Sequence, residues 1–143
     1  MEKRLTRSEF LAGGATVCLS LAAGGALVAG CTRMSALDAD QTRPPGAPKN
    51  FLARERDVNP AFYFAKGKVK GVLVRSAKGI AGYENQCSHM GSPCSLREGA
   101  LVCVWHGAAF DPETGKPLRG PAKEPLRPLK LELKDGLVLL AGL

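Results

Sequence analysis

Long uninterrupted runs of helix-forming residues are absent from the second half of this 143-residue chain. Beyond Pro60, no stretch longer than eight residues lacks glycine or proline, and stretches of that length seldom form stable helices. The chain also has no G-x-G-x-x-G sequence of the kind that opens a nucleotide-binding βαβ unit. The sequence therefore predicts short strands and gives no indication of a nicotinamide or flavin site.

Histidine is nearly absent too, since the chain has only two, His89 and His106. Each lies in a short box together with one cysteine, and the boxes read Cys87-Ser88-His89 and Cys103-Val104-Trp105-His106. Any site that needs an imidazole must therefore use these boxes. No histidine remains for a second site elsewhere in the chain.

The two boxes together offer two thiolates and two imidazoles to a metal. In a 2Fe-2S cluster of mixed ligation, two cysteines bind one iron and two histidines bind the other. Two cysteines and two histidines also satisfy a tetrahedral structural zinc. Zinc modules, however, usually pair like ligands as C-x-x-C and H-x-x-x-H, whereas each box here mixes them. The pattern favours the iron–sulfur cluster and leaves a structural zinc-binding module as the alternative.

The residues that follow the boxes resemble those of the Rieske 2Fe-2S protein family, over a region from Val58 to Leu143. Three sequences carry the resemblance: Met90-Gly91, Gly107-Ala108-Ala109-Phe110-Asp111 and Gly120-Pro121-Ala122. The resemblance implies an all-β Rieske fold of antiparallel sheets with two cluster-binding loops and a proline loop. It also implies one Rieske-type 2Fe-2S cluster, whose ligands are Cys87, His89, Cys103 and His106.

The resemblance implies transfer of single electrons and no substrate site of the chain's own. A Rieske oxygenase needs a second, mononuclear iron held by two histidines and a carboxylate, and both histidines here already lie in the boxes. We therefore expect an electron-transfer component of an oxidoreductase complex. It is either a subunit or carrier of an exported oxidoreductase, or the Rieske subunit of a quinol-oxidising cytochrome bc-type complex. Its redox partners would be a cytochrome b or c, a molybdenum oxidoreductase subunit, or quinol.

Residues beside the boxes favour the first of these roles. In Rieske proteins of cytochrome bc complexes a disulfide joins the two cluster loops, and the corresponding places hold Ser92 and Trp105 here. Cys94 has no partner at either place, so we expect a small buried thiol. The resemblance also implies a low reduction potential, because members of high potential have hydroxyl-bearing residues where this chain has Ala108 and Phe110.

The first 31 residues resemble an export signal. Three basic residues precede a stretch from Phe10 to Gly30 that contains no charge. The end of this stretch resembles the lipobox of bacterial lipoproteins and reads Leu27-Val28-Ala29-Gly30-Cys31. We therefore predict a signal peptide and lipidation of Cys31. The segment Thr6-Arg7-Ser8-Glu9-Phe10-Leu11 resembles the twin-arginine export motif but lacks its second arginine. It therefore leaves both the Tat and the Sec export routes open.

An uncleaved membrane helix is the alternative to a lipid anchor. Leu11 to Gly30 comprises 20 residues, about 30 Å as a helix, which is enough to cross a bilayer core. Its several glycines lower helix propensity, which favours the lipoprotein. Either anchor tethers the domain to the extracytoplasmic face of the cytoplasmic membrane in a bacterial cell envelope. Export separates the chain from nucleic acid, so its net charge of +7 suits an acidic protein partner.

Three segments follow from these patterns. Residues 1–31 are the signal peptide or anchor, residues 32–50 a proline-rich linker, and residues 51–143 the Rieske 2Fe-2S domain. Within the domain, apolar runs and alternating patterns predict strands at 72–75, 80–84, 101–103, 129–133 and 137–141. Asp135-Gly136 predicts the turn between the last two strands. At residues 49–59 we expect a short helix or an irregular entry segment.

Overall fold

The computed structural model describes residues 36–142, in which short β-strands account for nearly all regular structure. The first five strands are β1 (Leu37–Asp38), β2 (Phe51–Arg54), β3 (Ala61–Lys66), β4 (Val69–Ser76) and β5 (Gly79–Glu84), with a 3₁₀ helix, Glu55–Asp57, after β2. The others are β6 (Cys94–Arg97), β7 (Ala100–Cys103), β8 (Ala109–Phe110), β9 (Pro117–Arg119), β10 (Leu131–Lys134) and β11 (Leu137–Leu140). The export signal and Cys31 lie outside the described residues, so the statements about them stay predictions.

The strands form three small sheets. Their strand orders are β1-β3-β4-β5, β10-β11-β2 and β6-β7-β8-β9. Apart from the short parallel pair of β1 and β3, the strand pairs are antiparallel. The predicted all-β class and the antiparallel sheets are confirmed.

Strand β4 separates two hydrophobic cores. Successive side chains point to opposite faces of a strand, so Leu73 faces one core while Val72 and Val74 face the other. The base core contains Leu73 with Leu52, Ala53, Val58, Phe64, Val138 and Leu140. The cluster core contains Val72 and Val74 with Tyr83, Cys87, Cys94, Leu101, Cys103, Ala108, Phe110, Ala122 and Leu126. The three cysteines of the described residues therefore all lie on one side of β4.

The predicted turn between the last two strands is present. Asp135 and Gly136 both have positive φ angles, 51° and 72°, as a two-residue turn of the mirror-image type requires. Each of the five predicted strands overlaps an observed one. The segment 49–59 contains β2 followed by the 3₁₀ helix, so it combines a strand with a single helical turn.

The described part of the predicted linker, residues 36–50, lies against the domain. Its strand β1 pairs with β3, and Ala39 is fully buried. The Lys66 ammonium group donates a hydrogen bond of 2.7 Å to the Asp40 carboxylate. These contacts join the segment to the edge of the first sheet. Among the described residues, no helix is both long enough and apolar enough to cross a membrane.

Candidate metal centre

One β-hairpin brings the two boxes together. Strands β6 and β7 pair in antiparallel register, and Cys94 opposite Cys103 forms the last pair at the open end of the hairpin. The first loop, residues 87–93, leads into β6, and the second loop, residues 104–108, leaves β7. Because both loops extend from the same end of one hairpin, the boxes lie side by side.

The two loops have closely similar turns. In each, the carbonyl oxygen of the box cysteine accepts a hydrogen bond from a glycine N–H four residues later: Gly91 to Cys87 at 2.7 Å and Gly107 to Cys103 at 3.1 Å. Both glycines have positive φ angles, 73° and 68°, which other residues adopt only at a cost. The glycine that follows each box therefore closes the turn that contains the histidine.

The cysteines and the histidines occupy different environments. Cys87 and Cys103 are 3% and 2% exposed, and their thiols lie within hydrogen-bonding contact of each other. His89 and His106 are exposed, and their ring centroids are 5.0 Å apart with an angle of 81° between the planes. The structure thus gathers the four predicted ligands as a buried pair of thiols and an exposed pair of imidazoles.

The environment of the thiols acts on their pKa values in opposite directions. Burial raises the pKa of the Cys87 thiol. Burial opposes ionisation of Cys103 as well, but the backbone N–H groups of His106 and Trp105 donate to its sulfur and lower its pKa below the ordinary value. The second loop therefore favours the thiolate of Cys103, which is the form that binds metal.

The donor set fits a cluster of two irons. Among residues 36–142, no three histidine, cysteine, aspartate or glutamate side chains are grouped so that they could hold one metal ion. A Rieske cluster does not need such a group, because each iron takes two protein ligands. The paired thiols and the paired imidazoles match that requirement.

Hydrogen bonds, and no disulfide, connect the two loops. The backbone N–H of Val104 in the second loop donates to the carbonyl oxygen of Pro93 in the first loop at 3.2 Å. At the places of the interloop disulfide, Ser92 is buried and Trp105 is 63% exposed. The described cysteines are all free thiols.

The proline loop, residues 120–125, lies beside the first loop. The Ser88 hydroxyl donates a hydrogen bond of 2.6 Å to the carbonyl oxygen of Glu124. On the other side, the Arg119 guanidinium donates to the carbonyl oxygen of Gly107 in the second loop, with distances of 3.3 and 3.4 Å. The chain just before and within the proline loop therefore makes contacts with both cluster loops.

A group of exposed apolar side chains near the boxes was not evident from the sequence. Four large apolar side chains are at least half exposed and, with the imidazoles, form what we call the apolar collar: Met90, Val104, Trp105 and Leu118. Met90, Val104 and Trp105 lie in or next to the boxes in the sequence, whereas Leu118 does not.

Cys94, which we expected to be a buried thiol, is 1% exposed and lies against the sulfurs of Cys87 and Cys103. Burial raises its pKa to about 12, so it stays protonated beside the two thiols.

Comparisons with known proteins agree with this arrangement. The ferredoxin CarAc of Metapseudomonas resinovorans is 39% identical over 64 residues, which are 41% of this chain and 58% of that protein. The chain thus matches a little over half the length of this relative.

Solved structures have the same fold. One is the plasma membrane Rieske protein PetC3 from the cyanobacterium Synechocystis PCC 6803, with a TM-score of 0.55 and 22% identity over 67% of this chain and 99% of that one. Another is the ferredoxin of carbazole 1,9a-dioxygenase from Nocardioides aromaticivorans IC177, with a TM-score of 0.55 and 22% identity over 64% and 94%.

Residues 48–130 match the sequence profile of the Rieske [2Fe-2S] domain, a region that includes both boxes, the hairpin between them and the proline loop. With the fold and the paired thiols and imidazoles, this match shows that the chain belongs to the Rieske [2Fe-2S] family, binds one 2Fe-2S cluster and transfers electrons through it.

Proposed function

We propose that Cys87 and Cys103 bind one iron and that His89 and His106 bind the other. The difference in exposure supports this assignment, because the buried thiols would hold one iron inside the domain and the exposed imidazoles would hold the other near its surface. When bound, the cluster supplies a one-electron couple whose potential lies above that of an all-cysteine cluster. The imidazole edges then form the route between the cluster and a redox partner.

The apolar collar is the proposed contact surface for that partner. Exposed apolar side chains grouped on one surface mark interaction sites, and three of the four here lie in the two cluster loops that carry the imidazoles. Partners of electron-transfer proteins bind through small, short-lived interfaces. Trp105 carries the largest exposed surface of this group and stands directly before His106. A partner that covers the collar would exclude water from the imidazole edges.

The collar can be tested by comparing two exposed apolar residues. Trp105→Ala should slow oxidation of the reduced protein by its partner several-fold, because it removes contact area beside an imidazole. Leu133→Ala is the matched control, since Leu133 is 51% exposed but lies in β10, in the sheet that β10 forms with β11 and β2. Equal rates for both variants in stopped-flow oxidation by a c-type cytochrome would contradict the assignment of the collar.

We propose that the chain acts as an electron-transfer subunit or carrier of an exported oxidoreductase. The similarity to a ferredoxin supports a carrier role, and one solved neighbour, 25% identical, is a complex of an oxygenase with its ferredoxin. The lack of an interloop disulfide at Ser92 and Trp105 also supports it. Export and membrane attachment rest on residues 1–31 and the proposed lipidation of Cys31.

The Rieske subunit of a quinol-oxidising complex is the second candidate. The observation that favours it is the exposure of both imidazoles, because a quinol can donate a proton and an electron only to a ligand that it can reach. Stopped-flow mixing of the oxidised full-length protein with menaquinol separates the two roles. We expect slow reduction by menaquinol and fast oxidation of the reduced protein by a c-type cytochrome. Fast reduction by menaquinol would overturn the carrier role.

Ligand identity and anchoring each have a direct test. The reduced protein should give the electron paramagnetic resonance signal of a histidine-ligated 2Fe-2S centre, and His89→Cys or His106→Cys should alter it. One zinc and no iron in protein made with ample iron would overturn the assignment.

Cys31→Ala should leave an unprocessed precursor at the membrane. A mature wild-type chain that begins at Met1 would contradict lipidation.

A further inference from the structure

One buried hydroxyl beside the candidate metal centre has no hydrogen-bond partner among residues 36–142. Ser92 is 1% exposed, and its side-chain oxygen neither donates to nor accepts from any described group in normal geometry. A buried hydroxyl without an acceptor costs folding free energy. The described neighbours of Ser92 therefore do not offset the free-energy cost of burying its hydroxyl.

The backbone of Ser92 is held beside one of the two box cysteines. Its carbonyl oxygen accepts a hydrogen bond of 2.8 Å from the N–H of Cys87, which fixes its backbone in the first loop. Its hydroxyl is one of the groups that act on the sulfur of Cys103 across the hairpin, and it favours the thiolate there. The hydroxyl thus lies in the neighbourhood of the Cys103 sulfur but forms no regular hydrogen bond with it.

We infer that the hydroxyl of Ser92 donates a hydrogen bond to the sulfur of Cys103 when that sulfur is a cluster ligand, and that this bond raises the reduction potential. The inference rests on the proposed ligation by Cys103. A metal-bound thiolate is a stronger hydrogen-bond acceptor than a thiol. Binding of Cys103 to the cluster would therefore give the Ser92 hydroxyl the acceptor that it lacks. The reduced cluster is one charge more negative than the oxidised cluster, and a donor to its sulfur stabilises it more. The hydroxyl keeps its proton throughout.

Few other side chains of the two loops could donate a hydrogen bond to a ligand sulfur. The second loop contributes Ala108 and Phe110 at positions that are fully buried, and neither has a hydroxyl. Ser88 in the first loop already donates to the carbonyl oxygen of Glu124. Ser92 is therefore the serine of the two loops whose hydroxyl is free to reach a ligand sulfur.

Protein-film voltammetry on the cluster-loaded, full-length protein tests the inference. Ser92→Ala should reduce the equilibrium constant for reduction about tenfold, which for one electron is a fall of about 59 mV in the midpoint potential. Ser95→Ala is the matched control. Ser95 is equally buried and equally unpartnered, but it follows Cys94 in β6 and so points to the face opposite the cluster core.

A second pair of variants separates the hydroxyl from changes of shape. Ser92→Thr and Ser92→Val introduce side chains of the same outline, and only the threonine has a hydroxyl. The threonine variant should have the higher potential. Equal potentials for this pair, or the same shift for Ser92→Ala and Ser95→Ala, would overturn the inference.

Pulsed electron paramagnetic resonance of the reduced wild-type protein gives an independent result. After exchange into D2O, a deuteron coupled to the cluster should be present in the wild type and missing in Ser92→Ala. An identical set of deuteron couplings in both proteins would contradict the inference. Failure of the proposed ligation is distinguishable, because the wild type would then lack the histidine-ligated 2Fe-2S signal from the start.

Discussion

The base core and the cluster core share strand β4 but are built from different residues. The base core consists of aliphatic and aromatic side chains from strands β2, β3, β4 and β11 and from Val58. The cluster core contains three thiols in addition to its apolar residues, and two of these thiols are the proposed ligands Cys87 and Cys103. The base core can therefore hold its strands together by apolar burial alone, whereas we expect the order of the cluster core to depend on what its sulfurs bind.

Removal of a proposed ligand should have the largest effect, because it should destabilise the cluster core and leave the base core folded. Cys103→Ser should abolish the cluster and lower the protection of amide hydrogens in β6, β7 and both loops, because metal binding contributes to folding there. Protection in β2 and β11 should persist. Hydrogen exchange followed by mass spectrometry measures both regions at once. Loss of protection throughout the chain would show that the base core also depends on the cluster.

A matched pair of leucines compares the cores at equal burial. Leu73 of the base core and Leu101 of the cluster core are both fully buried, so replacement of either by alanine should cost roughly 2–5 kcal/mol of the free energy of unfolding. Leu101 lies in β7, two residues before Cys103, and only Leu101→Ala should speed loss of the cluster to a chelator. Urea denaturation and chelation kinetics test this. Equal rates of cluster loss would contradict it.

A smaller effect should follow from adding a hydroxyl to the second loop. The carbonyl oxygen of Ala108 accepts a hydrogen bond of 2.7 Å from the N–H of Cys103, so a serine at position 108 would stand next to a proposed ligand. A hydrogen bond to a charged group contributes roughly 1.5–3 kcal/mol, and about 59 mV corresponds to a tenfold change in the equilibrium constant. Ala108→Ser should raise the midpoint potential by some tens of millivolts in voltammetry. An unchanged potential would show that position 108 does not set it.

The smallest effect concerns acid stability in the turn after β8. The backbone N–H of Thr114, its hydroxyl and the N–H of Glu113 donate to the Asp111 carboxylate at 2.8, 3.0 and 2.9 Å. These bonds lower the pKa of Asp111, with the Thr114 N–H as the largest cause. A carboxyl group whose pKa is lower in the folded state stabilises the fold above its unfolded pKa, about 3.9, and loses that contribution as the pH falls further.

Asp111→Asn should therefore be less stable than the wild type at neutral pH and should lose less stability on acidification below about pH 4. Circular dichroism during urea denaturation at several pH values measures this difference. Parallel pH profiles for the two proteins would contradict the assigned role of the Asp111 carboxylate.

Local sequence patterns were sufficient for the family, the fold class and the cofactor. The boxes with their following glycines are short-range signals, and Asp135-Gly136 is a turn that depends on its own two residues. Six strands were not predicted: β1, β2, β3, β6, β8 and β9. Strand β6, for example, is only four residues long and is held by its pairing with β7. The burial of Ser92 and the contact of Cys94 with both ligand thiols depend on how the hairpin is folded, so no pattern in the sequence indicated them. The ligand assignment, the linker and the export signal stay predictions.

The hairpin that carries both loops also bears on how the domain folds. All four proposed ligands lie between residues 87 and 106, a span of 20 residues, and the entropy lost on closing a loop grows with its length. Contacts that are close in sequence form faster than distant ones. The metal site can therefore assemble around a single hairpin early in folding, before β2 and β11, which are more than 80 residues apart in the chain, have paired.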